Sequence, residues 1–165
     1  MLFRSTLLIM NIFVLDLDHK KCAQYHVDKH VTKMCVEYSQ ILCSVHHVTD
    51  SSYLIPYKLS HKNHPCSIWT RECIENYDWL TYLGFELCKE YTFRYGKRHK
   101  SQDVIEWALT HRPKLRENGY ITTFALAMPD EFKVDDPVSS YRNYYKKGKT
   151  NLLSWKNRPQ PSWLL

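Results

Sequence analysis

Between His26 and Val45 the chain alternates apolar and polar positions with the period of an α-helix. The apolar positions recur at steps of four and three residues and define one face: Val27, Val31, Met34, Tyr38, Ile41 and Val45. A polar series has the same spacing: His26, His30, Lys33, Glu37 and Gln40. At about 100° per residue the two faces lie roughly a quarter-turn apart. We therefore predict a helix that lines a cleft; the alternative is a solvated surface stripe that happens to contain histidines.

Two long helices are predicted from the helical periodicity and from residues suited to the start of a helix. Asp18 is a good N-cap for a helix over about 19–47, and Pro65 stands at a first helical position for a second helix over about 65–95. Gly84 lies on the apolar face of the second helix. A glycine there favours close approach by a neighbouring helix.

Shorter helices are predicted at about 101–109, 137–147 and 150–156. The chain has only 4 glycines, which favours helices over a β-sandwich or barrel. We expect an all-α fold with one domain over residues 10–165, in which two long helices pack together and shorter helices surround them.

The cysteines and the N-terminal segment limit the class of protein. The 6 cysteines form no C-x-x-C pair and often have helical core spacing, which predicts reduced thiols rather than a disulfide framework. An apolar run follows Arg4, but Asp16 comes directly after it and no small-residue cleavage site is present. The run is also too short to cross a bilayer, so we expect no membrane partner. We interpret Met10 as the natural start and residues 1–9 as an upstream extension.

Lys33 is the candidate nucleophile of the polar face. A lysine in a cleft, with histidines one and two turns before it, can attack an electrophilic carbon and form a Schiff base. His26, His30, Glu37 and Asp28 are then candidates for proton transfer or phosphate binding. The alternative for Glu37 is an ordinary ion pair with Lys33 at i,i+4 spacing.

Histidines at i and i+4 also permit a metal site. His26 and His30 have this spacing, but the intervening residues do not form the H-E-x-x-H motif. A metal-dependent nuclease or phosphohydrolase that uses these histidines with His64, and with Glu37 or Asp28, remains an alternative. We favour a site without metal or cofactor.

Basic residues cluster ahead of the second predicted helix. His61, Lys62 and His64 precede Pro65, and Arg71 follows two turns later. Because a helix N-terminus presents free N–H groups, this segment is a candidate phosphate site. The alternative is that Asn63 and His64 only cap the helix.

A second basic cluster lies near the C-terminus. The net charge of the chain is +6, and residues 141–158 contain basic and aromatic residues but no acidic ones. Such residues can pair with phosphates and stack on bases. The candidates for nucleic-acid contact are Arg142, Tyr144, Tyr145, Lys146, Lys147, Lys149, Trp155, Lys156 and Arg158. The alternative is a basic helix whose tyrosines belong to the core.

Several short motifs resemble a family of small, mostly uncharacterised proteins of tailed phages and large DNA viruses. The most distinctive is His-x-Asp-Lys-His-Val at 26–31. The other matching segments are 10–16, 63–66, 90–97, 127–133, 141–145 and 155–159. The resemblance implies a protein of an infected host cell, in the cytoplasm, nucleus or virus factory, and not a secreted one.

A more distant likeness is to the phage pyrimidine-dimer DNA glycosylases of the endonuclease V type. It rests on an apolar segment before a helix that bears a histidine, on the run at 76–80, and on the aromatic-basic segment at 141–149. That family is small and all-α, excises damaged pyrimidines, and cuts the abasic strand through a Schiff base formed by its N-terminal amine. Here Asn11 follows Met10, and no residue of the first helix clearly matches the family's catalytic glutamate.

We therefore expect a DNA-processing enzyme, a glycosylase with abasic lyase activity that acts on duplex DNA with a damaged or modified base. Lys33, or a free N-terminal amine, would attack C1′ of the sugar. Besides the metal-dependent alternative, a non-catalytic nucleic-acid-binding viral protein remains open.

Overall fold

The computed structural model describes residues 10–49 and 51–165, and within them the regular elements are helical. The α-helices are α1 (His19–Tyr25), α2 (Asp28–Val48), α3 (Pro65–Glu72), α4 (Ile74–Tyr95), α5 (Gln102–Thr110) and α6 (Pro137–Asn143). A π-helical turn (Tyr144–Gly148) and short 3-10 turns (Asp130–Phe132, Thr150–Leu152, Ser162–Leu164) follow or separate them. The predicted all-α class is confirmed. The predicted upstream extension, residues 1–9, lies outside the described residues.

The two long helices, α2 and α4, pack against each other, and α1, α3 and α5 also pack on α4. All six apolar positions predicted between Val27 and Val45 are buried. A Cβ on Gly84 would lie 2.7 Å from Cδ1 of Ile105 in α5, which confirms the predicted close approach. The six cysteines are buried and unpaired, as predicted. No helix in the described part of the chain is long and apolar enough to cross a membrane.

The prediction of one continuous helix over 19–47 is wrong. His26 and Val27 have extended backbones, so α1 ends before α2 begins. The carbonyls of Gln24 and His26 accept hydrogen bonds from the Arg94 guanidinium at 2.9 and 2.8 Å. A side chain of α4 thus satisfies the free carbonyls that end α1. The periodicity of α2 alone could not reveal this long-range contact.

The second predicted helix, over 65–95, is also divided. Cys73 is extended, with φ −155° and ψ 165°, and separates α3 from α4. The N–H of Ile74 donates to the carbonyl of Arg116 at 3.0 Å, and Nε of Arg116 donates to the carbonyl of Glu72 at 2.9 Å. The segment at Arg116 therefore supplies hydrogen bonds on both sides of the break.

The C-terminal helices are shorter than predicted. The helix over 137–147 ends at Asn143 and continues as the π-helical turn, and only a 3-10 turn occupies part of 150–156. Asp28 fixes the segment that follows this 3-10 turn. The Asp28 carboxylate accepts from the Ser154 hydroxyl and from the N–H of Lys156, both at 2.8 Å.

Four charged side chains join these parts: Glu90 and Arg94 are buried, and Asp28 and Arg158 are partly exposed. We call them the buried charge cluster. The Arg94 side chain is fully buried and lies 2.8 Å from Glu90 and 3.0 Å from Asp28. Glu90 also pairs with Arg158 of the tail at 3.0 Å. These ion pairs lower the pKa of Glu90 against the opposing effect of burial. The cluster thus ties α4 to the start of α2 and to the C-terminal tail.

Replacing Arg94 should test this role. Arg94→Met leaves buried carboxylates and carbonyls without their donor, so we expect the free energy of unfolding to fall by about 3–5 kcal/mol. The matched control is Arg98→Met, because Arg98 is half-exposed and pairs with Asp103 and Glu106 at the surface. Its loss should cost less than about 1 kcal/mol. Urea denaturation measures both, and equal effects of the two substitutions would refute the role of Arg94.

Candidate active site

A cleft of about 400 Å³ runs along one face of α2. Lys33, Glu37 and Gln40 project into it from successive turns of that helix. The remaining walls come from the N-terminal segment, the loop between α2 and α3, and the turn after α4. The lining residues are Met10, Thr32, Lys33, Val36, Glu37, Gln40, Ser60, His61 and His99. The prediction that this helix lines a cleft is thus confirmed for Lys33, Glu37 and Gln40, the last three residues of the predicted polar series.

Glu37 is a buried carboxylate beside an amine. One oxygen lies 3.3 Å from Nζ of Lys33, whose side chain is 46% exposed while that of Glu37 is 10% exposed. The other oxygen, Oε2, is buried and has no hydrogen-bond partner among the described residues. Burial raises the pKa of Glu37, against opposing effects of Lys33, the N–H of Asn11 and His61. A carboxyl that holds its proton more tightly than usual can donate a proton at a higher pH than a solvent-exposed carboxyl can.

The N-terminal segment is fixed in place by the side chain of Asn11. Its Nδ2 donates to the carbonyl of Ala127 at 2.7 Å, and its Oδ1 accepts from the Tyr141 hydroxyl at 3.0 Å. Asn11 is fully buried. These contacts with distant parts of the chain hold Met10 at the wall of the cleft and the N–H of Asn11 near Glu37.

His26 lies in the core, away from the cleft. Its Nδ1 is 2.7 Å from the carbonyl of Cys22 and its Nε2 is 2.8 Å from the Tyr38 hydroxyl. Because a carbonyl can only accept, Nδ1 carries the proton of the neutral ring, and Nε2 accepts from the Tyr38 hydroxyl. Burial lowers the pKa of His26 to about 4. The break before α2 removes His26 from the predicted polar face, and its contacts are structural.

His30 is packed among aromatic rings. It stacks on Phe13 with ring centroids 4.2 Å apart, and its Nδ1 is 2.7 Å from the Tyr145 hydroxyl. Burial, with nearby positive charge that includes Lys149 and Lys33, lowers the pKa of His30 to about 2. The ring does not line the cleft. Its contacts instead join α2 to the N-terminal segment and to the π-helical turn.

A family described as pyrimidine dimer DNA glycosylase matches residues 10–103 of the chain. The match spans more than half of the 165 residues and contains every residue that lines the cleft. The chain belongs to this family. The likeness to pyrimidine-dimer glycosylases inferred from the sequence is thereby confirmed.

Membership of the glycosylase family indicates a glycosylase-type function on DNA. The match starts at Met10, which is also where the described structure starts. It ends before the aromatic-basic segment at 141–149, so that part of the likeness lies outside it. Searches of curated proteins and of solved structures found no match to the chain.

The structure places only one of the basic candidates near α3 in the cleft. His61 lines the cleft, whereas Lys62 is exposed beyond it. Nδ1 of His64 accepts from the N–H of Cys66 at 3.1 Å, so His64 caps α3, as the alternative interpretation held. Arg71 donates to the carbonyl of Lys62 and braces the same loop.

The C-terminal aromatic residues are largely structural. Tyr144 and Tyr145 are buried, and Nε1 of Trp155 donates to the carbonyl of Tyr25 at 2.8 Å. Arg142 donates to the carbonyl of Leu15 at 2.8 Å. The alternative that these tyrosines belong to the core is therefore correct.

The cations of this segment remain at the surface. Lys147 and Lys156 are exposed, while Lys146 and Lys149 are partly exposed. Lys149 lies over the Tyr144 ring, with Nζ 4.8 Å from its centroid, and Arg158 lies over the Phe93 ring at 3.9 Å. These lysines stay available for phosphate contact, but the aromatic rings do not form an open surface on which bases could stack.

The geometry does not support the metal-site alternative. Among residues 10–49 and 51–165, no group of three or more His, Cys, Asp or Glu side chains is placed to hold a metal ion. His26 and His30 bond to separate tyrosines, and His64 caps α3. Asp28 belongs to the buried charge cluster. These side chains do not converge on Glu37.

Several residues that line the cleft are not marked as site residues by any local sequence pattern. His99 reaches the cleft from the turn after α4: its Nε2 is 3.0 Å from the carbonyl of Thr32, and burial lowers its pKa. Ser60 reaches it because its backbone pairs with the Ser44 hydroxyl. Met10 was identified only as a start residue. Each is brought in by long-range packing rather than by a local pattern.

A buried acid with a raised pKa should make stability depend on pH. The neutral form of Glu37 contributes stability that is fully present below the ordinary pKa of 4.5 and is lost as pH rises through the higher folded-state pKa. We therefore expect Glu37→Gln to raise Tm by a few degrees at about pH 8 and not at about pH 4.

The control for this measurement is Glu131→Gln, because Glu131 is exposed and lies outside the cleft. It should leave Tm unchanged at both pH values. Thermal denaturation followed by circular dichroism measures the difference. A lower Tm for Glu37→Gln at the higher pH would contradict the assignment.

Proposed function

We propose that this protein excises a damaged pyrimidine from duplex DNA and then cuts the abasic strand through a Schiff base formed in the cleft. Family membership supports the class of substrate. The observation that carries the chemistry is the pairing of the Lys33 amine with the buried Glu37 carboxyl at 3.3 Å. A nucleophilic amine and a group that can exchange protons then share one site of about 400 Å³.

The proposed reaction begins when the neutral amine attacks C1′ of the deoxyribose. The C1′–N1 bond breaks, its electron pair leaves with the base, and the base takes up a proton. The amine nitrogen then loses a proton, the C1′–O4′ bond breaks, and O4′ takes up a proton, which opens the sugar ring to an iminium at C1′. Removal of a C2′ proton then expels the 3′ phosphate, and water hydrolyses the imine to free the amine. Glu37 is placed to relay the protons in these steps.

Two amines can serve as the nucleophile. Lys33 projects from α2 into the cleft and is half-exposed, so it can reach a nucleotide at the cleft mouth. The second is the terminal amine of a chain that begins at Met10, since Met10 lines the same cleft and the N–H of Asn11 lies near Glu37. We place Lys33 first because its amine is present in either form of the chain.

We propose that DNA lies across the cleft mouth, held by basic side chains of the loop and of the C-terminal segment. His61 and Lys62 contribute from the loop between α2 and α3. The surface lysines Lys146, Lys147 and Lys149 of the C-terminal segment are expected to contact further phosphates. Such phosphate contacts give affinity that falls with salt and carry no sequence preference.

Borohydride trapping tests the covalent step. The full-length protein should form a reducible crosslink with duplex DNA that carries an abasic site or a thymine dimer, and Lys33→Ala should abolish it. Lys29→Ala is the matched control, because Lys29 is exposed one turn earlier on α2 and does not line the cleft. A crosslink that survives Lys33→Ala assigns the nucleophile to another amine, first the terminal one. No crosslink with any substrate rejects the Schiff-base mechanism.

Loss of the Glu37 carboxyl should slow the reaction without unfolding the protein. Glu37→Gln keeps the shape of the side chain but cannot exchange a proton, so we expect the single-turnover excision rate to fall by about 10²–10⁴-fold. Binding to the same DNA should change little, as judged by fluorescence anisotropy. An excision rate equal to that of the unmodified protein would remove Glu37 from the mechanism.

A further inference from the structure

A second pocket of about 340 Å³ adjoins the cleft along α2. It shares Val36, Gln40 and Ser60 with the cleft, and its other wall is the loop that follows α2. We call residues 51–64 the cleft loop. Leu59 in this loop lines the second pocket, and the next residue, Ser60, lines both. An apolar side chain therefore stands at the boundary of the candidate active site.

Leu59 is exposed although it is apolar. Its relative exposure is 46%, and it is flanked by Lys58, which is also exposed. The loop itself is basic: residues 51–64 contain Lys58 and Lys62 but no Asp or Glu. An exposed leucine within a basic rim suits a polyanion that also offers apolar surface. Duplex DNA offers both, in its phosphates and its stacked bases.

The backbone around Leu59 is held firmly. Tyr57 is anchored on one side, since its carbonyl is 2.8 Å from Nε2 of His47 and its hydroxyl is 2.9 Å from the Ser101 hydroxyl. Ser60 is anchored on the other, since its N–H and its carbonyl both bond to the Ser44 hydroxyl at 3.0 Å. The loop therefore presents Leu59 from a preorganised position, which lowers the entropy lost on binding.

We propose that Leu59 inserts into the base stack beside the lesion and fills the gap left when a nucleotide leaves the duplex. This proposal rests on the proposed function, because it assumes a base that must be brought into the cleft. Taking a base out of a duplex costs a few kcal/mol of stacking and pairing. An apolar side chain that enters the stack replaces part of the lost contact. Leu59 is thus a positioning residue for DNA and takes no part in bond breaking.

Excision rates on two substrates test the proposal. With a thymine dimer in fully paired duplex, Leu59→Ala should lower the single-turnover rate about tenfold or more. When the same lesion lies opposite mismatched bases, the duplex is already opened, and the deficit should shrink to about twofold. An equal deficit on both substrates, or none on the paired one, would overturn the proposal. Leu59→Met keeps an apolar side chain of similar length and should restore most of the rate.

The matched control is Leu54→Ala. Leu54 belongs to the same loop and is 93% exposed, but it lines neither pocket. We expect its substitution to leave both rates close to those of the unmodified protein. A loss in Leu54→Ala that equals the loss in Leu59→Ala would refute a specific role of Leu59. Thermal denaturation of each variant confirms that folding is retained.

A binding measurement separates this proposal from the proposed function. With 2-aminopurine next to the lesion, full-length protein should increase the fluorescence as the probe unstacks, and Leu59→Ala at saturating concentration should not. This readout needs no turnover. If the unmodified protein excises nothing, the proposed function fails, and the fluorescence still decides the role of Leu59. Fluorescence that does not rise, or that rises equally with both proteins, shows that Leu59 does not insert.

Discussion

A fully buried arginine on α4 joins three helices and, through Glu90, the C-terminal tail. The Arg94 guanidinium bonds to Glu90 on its own helix, to Asp28 at the start of α2 and to the carbonyls that end α1. A buried charge costs several kcal/mol unless its partners are in place, so these contacts must form together. Glu90 also pairs with Arg158, which brings the C-terminal tail into the same cluster. The relative positions of α1, α2, α4 and the tail depend on this set of contacts.

The cluster also decides where α2 begins, and thereby which side chains reach the cleft. Because α1 ends at Tyr25, where Arg94 bonds to its free carbonyls, His26 turns into the core and bonds to Tyr38. His30, one turn into α2, still packs inward against Phe13. Lys33 and Glu37 on the following turns face the cleft. The polar series predicted between His26 and Gln40 is thus divided. His26 and His30 are buried in the core, whereas Lys33 and Glu37 line the cleft.

The candidate site places a buried carboxyl next to a solvent-exposed side chain. Glu37 is buried, which raises its pKa, while Lys33 beside it is half-exposed and accessible from the cleft mouth. Holding such a carboxyl out of water opposes folding at neutral pH, a cost often found at functional sites. The C-terminal segment has a structural role. Its π-helical turn packs Tyr145 against His30, while the lysines of that turn lie at the surface. The family match to pyrimidine dimer DNA glycosylases covers the candidate site and not the π-helical turn.

The sequence by itself determined the helical class, the buried face of α2, the close approach of another helix at Gly84 and the likeness to the glycosylase family. Each of these depends on local periodicity or on short motifs, which neighbouring residues define. Only the tertiary structure decided the breaks before α2 and α4, the removal of His26 and His30 from the site, and the arrival of Ser60, His61 and His99 at the cleft. These features depend on hydrogen bonds between residues far apart in the chain, such as those of Arg94 and Arg116. A helical period cannot encode them, because it specifies which face is apolar and not which distant side chain will complete the end of the helix.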